Sequence, residues 1–280
     1  CGLSRAEAAV KRHDAAAGTA ASYSLLDIVS TMAWGLGYFG MPHILLRFMA
    51  IEDEKKLVLS RRIASVWVVI AMTASIVIGM VGLGMTRVGA LEFLSGSSSE
   101  TLIVRIASLI SGHGMLAAVL AGLILAGILA ATMSTADSQL LAAASSVTQD
   151  LLQGTFKMKL SDKAAMIIAR LTVVLIAVVG VIWAREEGSV FTIVSFAWAG
   201  FGAAFGPVVL LALFWKRSNK YGALAGMIAG GVMVFVWKYC IAPIGGILNI
   251  YELLPAFVIA IIVNVVISLA TKAPEAEVVK

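Results

Sequence analysis

The sequence predicts an all-α protein that crosses a membrane several times. Sixty per cent of its residues are hydrophobic and only 13% are charged, whereas a soluble domain carries about a quarter charged residues. The apolar residues are gathered into runs of about 20, which is the length that a helix needs to cross a bilayer. Because a soluble fold of this size could not bury so much apolar surface, we expect the lipid bilayer to surround the chain.

Seven apolar runs account for most of the chain. The third run is too long for one span, and we expect its C-terminal end to project into the cytoplasm. Three charged residues interrupt the stretch 90–111, which predicts an extramembrane loop with a short amphipathic helix. The seven runs are 25–48, 64–85, 115–147, 164–184, 190–215, 223–239 and 253–270.

The placement of Lys and Arg predicts the orientation, because cytoplasmic loops are enriched in both. With the loop between the first two runs inside, 14 of the 21 basic residues fall inside and 7 outside. This bias predicts an outside N-terminus and a cytoplasmic C-terminus. The predicted regions are an extracytoplasmic loop at 1–24, a transmembrane domain at 25–271 and a cytoplasmic tail at 272–280. Basic residues that lie in short loops indicate a membrane rather than nucleic acid as the partner.

The sequence does not predict an enzyme. Cys1 and Cys240 lie far apart and suggest neither a disulfide framework nor a metal site. No nucleophile–base pair, phosphate-binding loop or catalytic metal cluster is evident. Because the chain opens with Cys1 in a polar, Ala-rich stretch, we expect its start to lie inside a longer protein.

The first run contains the sequence WGLGYFGMP at 34–42, which predicts an interrupted helix. Pro42 cannot donate a main-chain hydrogen bond and its ring crowds the carbonyl of Tyr38, while the glycines weaken the helix further. Unwound backbone in a membrane must be buried in protein or line a cavity, and interrupted helices build the binding sites of many transporters. Trp34 and Tyr38 lie on the same helical face and could line such a site. A kinked packing helix is the alternative interpretation.

The third run carries a group of hydroxyl side chains. Ala131, Ser134 and Thr135 share one helical face, which Ser138 continues. Neutral oxygen atoms of this kind suit a hard cation that must bind reversibly. Alternatively, the hydroxyls bond back to carbonyls of their own helix. Asp137 is an acid within a span and is therefore a functional candidate, although it could lie just below the bilayer.

Glycines recur at intervals of four in the fifth and sixth runs. This spacing lets helix backbones approach closely in lipid, so we interpret it as helix packing. The glycines are Gly202 and Gly206, and Gly222, Gly226 and Gly230.

The segment 34–50 closely resembles the sodium:solute symporter family, in particular its bacterial members that transport proline. The resemblance makes this segment the sixth helix of a ten-helix core and implies that Trp34, Tyr38 and Pro42 bind substrate. Met41 departs from the pattern, because the proline-transporting members usually carry Gln there; we include it among the substrate-site candidates.

The segment 131–135 resembles the family's sodium site. The resemblance implies that Ala131 supplies a carbonyl oxygen and that Ser134 and Thr135 supply hydroxyls to a sodium ion. Asp137 and Ser138 would then lie next to these ligands without binding the ion themselves.

The resemblance extends from about 25 to 271. It implies the second half of a five-plus-five inverted-repeat fold of the leucine-transporter type, with two extra helices, and an N-terminal half of the same protein that this chain lacks. The implied function is sodium-coupled uptake of a small solute, above all L-proline, across a bacterial cell membrane. The alternatives are a transporter-like sensor region and a symporter for another substrate, such as a carboxylate or a vitamin.

Overall fold

The computed structural model describes residues 24–184 and 189–274, and no strand occurs among them. The predicted loop at 1–24 and the end of the predicted tail at 275–280 therefore lie, apart from Ser24, outside the described residues. The described α-helices are α1 (Leu25–Ala33), α2 (Pro42–Met49), α3 (Lys56–Arg87), α4 (Leu102–Ser111), α5 (Met115–Ser145), α6 (Asp162–Trp183), α7 (Val190–Phe214), α8 (Lys220–Val236) and α9 (Leu253–Ala270).

Within 24–184 and 189–274, six continuous helices are long and apolar enough to cross a membrane, which confirms a multi-pass helical protein. They are Lys56–Arg87, Met115–Thr155, Asp162–Ile182, Val190–Phe214, Lys220–Ile244 and Leu253–Ala270. The first predicted run is divided between α1, a 3₁₀ segment at Trp34–Gly40 and α2. α3 starts eight residues before its apolar run, because Lys and Arg are good helix formers that extend it.

The third run forms a long helix and a short helix lies between α3 and α5, as the sequence predicts; the cytoplasmic and extramembrane placements stay predictions. α5 continues into a π-helical segment at Ser146–Thr155, so the third run forms 41 helical residues. The stretch between α3 and α5 contains a 3₁₀ segment at Gly96–Thr101 and then the short helix α4. Arg105 of α4 lies 3.6 Å from Glu92 across this stretch.

The chain divides into two compact units. The first comprises Cys1–Ile51 and Val190–Lys280, and therefore contains α1, α2 and α7 to α9. The second is Glu52–Ser189, which contains α3 to α6. The core of the first unit combines small residues, such as Ala203 on α7, with a few large side chains, such as Leu253 and Phe257 on α9.

The glycines of α8 pack closely against other helices, as their spacing predicts, and the structure identifies these helices as α7 and α9. A Cβ added at Gly226 would lie 2.9 Å from the Cβ of Asn264, and one at Gly230 would meet the carbonyl of Ala203. Helix backbones therefore approach each other closely at these positions. Gly231, the next residue, has nothing within 4 Å of its built Cβ.

Candidate functional site

The helix of the first run is interrupted at Met41. The 3₁₀ segment Trp34–Gly40 ends there, and Met41 is extended, with φ −80° and ψ 113°. A residue that precedes proline is pushed away from the helical region by the proline ring. Pro42 then occupies the first turn of α2, where its missing N–H is tolerated. The predicted interruption is therefore confirmed.

One face of the interrupted segment packs against the backbone of α7. A Cβ added at Gly40 would lie 2.8 Å from the main-chain nitrogen of Gly206 and 2.9 Å from the Cα of Gly202. Only glycine permits contacts this close between two main chains. The backbone at Gly37 and Gly40 is thus covered by protein, whereas Gly35, Tyr38 and Phe39 are exposed.

Trp34 lies in a group of nearly parallel aromatic rings. Its ring centroid lies 5.3 Å from that of Phe191, 5.7 Å from that of Trp198 and 6.0 Å from that of Tyr251. The interplanar angles range from 13° to 20°. Contacts of this kind stabilise by about 0.5–1.5 kcal/mol per pair beyond the burial of area. We call these four residues the aromatic stack.

Trp198 joins the aromatic stack to the interrupted helix. Its indole N–H donates a hydrogen bond of 3.0 Å to the carbonyl oxygen of Trp34. Its ring also meets the ring of Tyr38 edge-on, with centroids 4.8 Å apart. A Cβ added at Gly37 would collide with the same indole. One side chain of α7 therefore contacts three residues of the 3₁₀ segment.

Tyr251 connects the aromatic stack to α1 and α7 through two hydrogen bonds. Its hydroxyl donates a hydrogen bond of 2.6 Å to the carbonyl of Ser195, and its main-chain N–H donates to the hydroxyl of Ser30 at 3.2 Å. Burial raises the pKa of the Tyr251 hydroxyl, and the carboxylate of Glu252 raises it further. The phenol therefore stays protonated and remains a hydrogen-bond donor.

The four predicted substrate-site residues lie together in this part of the first unit, with different exposure. Tyr38 is 51% exposed, whereas Met41 is 6% exposed. Trp34 and Pro42 are partly buried. Among the four, Tyr38 presents the largest free surface to a ligand.

The predicted sodium ligands lie on α5 in the second unit. The hydroxyl of Thr135 donates to the carbonyl oxygen of Ala131 over 3.3 Å, and that of Ser138 donates to the carbonyl of Ser134 over 2.9 Å. The sequence left two interpretations of these hydroxyls open, and hydrogen bonding back to the helix is the one observed for Thr135 and Ser138. A hydroxyl that donates one such bond still keeps lone pairs for a cation.

Ala131, Ser134 and Thr135 are all exposed on α5, and Asp137 is exposed beside them. Ser138 is partly buried. The five residues occupy two successive turns of one helix, so their arrangement follows from sequence spacing.

Comparison with known proteins identifies the family. The family model for sodium:solute symporters matches residues 5–230. The chain belongs to the sodium:solute symporter family. No solved structure matches this symporter-family chain at a significant level.

Its curated relatives include several proteins named as proline transporters. The chain is 41% identical to the osmoregulated proline transporter OpuE of Bacillus subtilis over 252 residues, which cover 90% of this chain and 49% of that protein. It is 40% identical to the sodium/proline symporter of Haemophilus influenzae, with 99% of this chain and 54% of that protein covered. The sodium/proline symporter of Escherichia coli is 40% identical, with 90% and 49% covered. The chain thus spans about half the length of the curated relatives it matches.

Three residues of the site in this symporter-family chain escaped the sequence reasoning. Phe191, Trp198 and Tyr251 complete the aromatic stack, yet the hydrogen bond from Trp198 to Trp34 spans 164 positions in sequence. The available signal was the concentration of aromatic residues at 191–201 in an otherwise small-residue helix. That pattern does not say which face of α7 meets the interrupted helix.

Proposed function

We propose that this chain forms part of a sodium-coupled symporter that carries a small amphoteric solute, first of all L-proline, into the cell. The observation that carries the proposal is the interrupted helix at Trp34–Gly40, which packs on α7 at Gly37 and Gly40 and carries the half-exposed Tyr38. Discontinuous helices of this kind form midplane binding sites in secondary transporters. The names of the curated relatives favour proline as the substrate.

The proposed substrate pocket is formed by Trp34, Tyr38, Met41 and Pro42. The half-exposed ring and hydroxyl of Tyr38 would contact the solute directly. Trp34 has its ring in the aromatic stack, which fixes its position, so it would act as a rigid apolar wall. Met41 and Pro42 would border the pocket where α2 begins. A pocket with apolar walls and a few polar groups suits a compact zwitterion such as proline.

The proposed sodium site uses the carbonyl oxygen of Ala131 and the hydroxyls of Ser134 and Thr135. The oxygens of Ala131 and Thr135 lie 3.3 Å apart, so both can contact one cation at about 2.4 Å, the usual distance for oxygen ligands of a hard cation. All three ligands are uncharged, which favours binding weak enough to reverse in each transport cycle. Asp137 and Ser138 would support the site electrostatically and through the helix backbone.

Three oxygen atoms do not complete the shell of a hard cation, which takes about six. We propose that the remaining ligands come from another part of the whole protein, corresponding to the half of the relatives that this chain does not cover. Coupling requires that bound sodium raises the affinity for the solute, in which case bound solute raises the affinity for sodium by the same factor.

The proposed orientation places the start of this chain outside the cell and its C-terminal tail in the cytoplasm. The excess of Lys and Arg in the inside set supports it. In this orientation the solute would move inward with sodium by alternating access, and the protein would carry out no covalent reaction. The bilayer is its remaining partner.

Uptake of radiolabelled solutes tests the proposal. The whole protein, expressed in cells that lack other proline transport, should take up proline when an inward sodium gradient is present. Replacement of sodium by choline should abolish uptake. A panel that also contains a carboxylate and a vitamin should show much weaker uptake of both; preference for either one would contradict the proline assignment, and sodium-independent uptake would contradict the coupling.

A further inference from the structure

Trp198, a side chain of α7, contacts three residues of the interrupted helix. Its N–H donates to the carbonyl of Trp34, its ring edge meets Tyr38, and its pyrrole side lies where a side chain at Gly37 would be. These three residues lie within the five positions 34–38. The contact therefore covers the N-terminal half of the 3₁₀ segment and the residue proposed to touch substrate.

The hydrogen bond from Trp198 has a specific physical role. Residues in a 3₁₀ segment make poorer main-chain hydrogen bonds than those in an α-helix. A side-chain donor that reaches the carbonyl of Trp34 compensates for this. The same indole restricts the ring of Tyr38 from one side by an edge-on contact.

We propose that Trp198 is a positioning residue of the substrate site: it holds the interrupted helix in its 3₁₀ form and fixes the ring of Tyr38 for binding. The expected effect on proline affinity rests on the proposed transport function, whereas the stabilisation of the 3₁₀ segment follows from the contacts alone. Trp198 does not touch the solute. It raises substrate affinity because Tyr38 and the adjacent backbone are already arranged before the solute arrives.

The chain offers a matched control. Trp237 also donates its indole N–H to a main-chain carbonyl, that of Leu248, over 3.1 Å. This bond lies at the end of α8 and involves none of the proposed binding residues. Trp198→Phe and Trp237→Phe each remove one indole N–H and keep an aromatic ring, so they differ in location and not in chemistry.

The first measurement is the concentration dependence of uptake in the whole protein. Trp198→Phe should raise the half-saturating proline concentration about five- to tenfold, which corresponds to the loss of one hydrogen bond at the site. The half-saturating sodium concentration, measured at saturating proline, should change less than twofold. Trp237→Phe should leave both values unchanged.

A second pair of variants covers the case in which Trp198→Phe does not fold. Gly37→Ala places a methyl group against the indole of Trp198, whereas Gly35→Ala adds one where nothing lies within 4 Å. Gly37→Ala should reproduce the change in proline affinity, and Gly35→Ala should not. A double variant, Gly37→Ala with Trp198→Phe, should be less than additive, because both changes act on the same contact.

Hydrogen–deuterium exchange separates this inference from the proposed function, since it requires no transport. In the purified protein, the main-chain amides of 34–41 should exchange about five- to tenfold faster in Trp198→Phe than in wild type, and at the wild-type rate in Trp237→Phe. If the wild type takes up none of the tested solutes, the proposed function fails while the exchange result still decides the role of Trp198. Unchanged exchange and proline affinity in Trp198→Phe, or equal changes in both Trp variants, would overturn the inference.

Discussion

The hydroxyl oxygen of Thr135 lies 3.3 Å from the carbonyl oxygen of Ala131, one helical turn earlier. The two atoms belong to a single helix, so their separation is set by helix geometry and does not depend on distant packing. Two oxygens at this spacing can share one hard cation. This relationship is the structural basis of the proposed sodium site.

Ser134→Ala and Thr135→Ala should each raise the sodium concentration that half-saturates uptake. Loss of one oxygen ligand among few should cost about 1–3 kcal/mol, or roughly 5- to 150-fold in sodium affinity. Thr132→Ala is the control, because Thr132 also bonds back to its helix, to Ile128 over 3.0 Å, but is not among the proposed ligands. Unchanged sodium dependence in the variants of Ser134 and Thr135 would contradict the assignment.

Tyr38→Phe should weaken proline affinity about fivefold, because the hydroxyl of Tyr38 is the exposed polar group of the proposed pocket. The ring remains, so its contact with Trp198 should persist. Tyr221→Phe is a suitable comparison: Tyr221 is 53% exposed, close to the 51% of Tyr38, and lies at the start of α8. The measurement is proline uptake over a range of concentrations at saturating sodium. Equal affinities in wild type and Tyr38→Phe would place the polar contact elsewhere.

Met41→Gln should change selectivity among related solutes. Met41 is 6% exposed at the point where the helix is interrupted, so a Gln amide there must find a partner or lose about 1–3 kcal/mol. A bound solute with a carboxylate and an amine can supply that partner, which should increase the preference for proline over uncharged analogues. Met41→Leu keeps the site apolar and should leave selectivity as in wild type. Identical substrate profiles for the Gln and Leu variants would remove Met41 from the site.

Gly230→Ala should destabilise the first unit, whereas Gly231→Ala should not. A methyl group at Gly230 would collide with the carbonyl of Ala203, and its neighbour has nothing within 4 Å. Overpacking of this kind destabilises by about 1–3 kcal/mol, while Gly to Ala at an open helical position stabilises by about 0.5–1 kcal/mol. Thermal unfolding of the purified protein in detergent measures both. Similar midpoints for the two variants would contradict the close approach of α7 and α8.

The local features of this fold were predictable from the sequence. Pro42 and the glycines before it determine where the first run is interrupted, because their effects on the backbone act over one turn. The face shared by Ala131, Ser134 and Thr135 follows from helical periodicity. The spacing of Gly222, Gly226 and Gly230 indicates close packing for the same reason.

Contacts between distant segments were not predictable. The aromatic stack joins residues of α7 and the loop before α9 to Trp34, and no short-range pattern encodes such a pairing. Likewise, the glycines of α8 do not reveal that they face Asn264 on α9. The exposure of Asp137 depends on which other segments pack on α5, and no local pattern in the sequence predicts it.

The most direct test of the account is coupled uptake by the purified whole protein in sealed liposomes. An inward sodium gradient, with the membrane potential clamped, should drive labelled proline above its external concentration, and dissipation of the gradient with a sodium ionophore should release it. Ser134→Ala with Thr135→Ala should lose this accumulation at the sodium concentration that saturates wild type. Accumulation of proline that is unaffected by removal of the sodium gradient would contradict sodium-coupled symport.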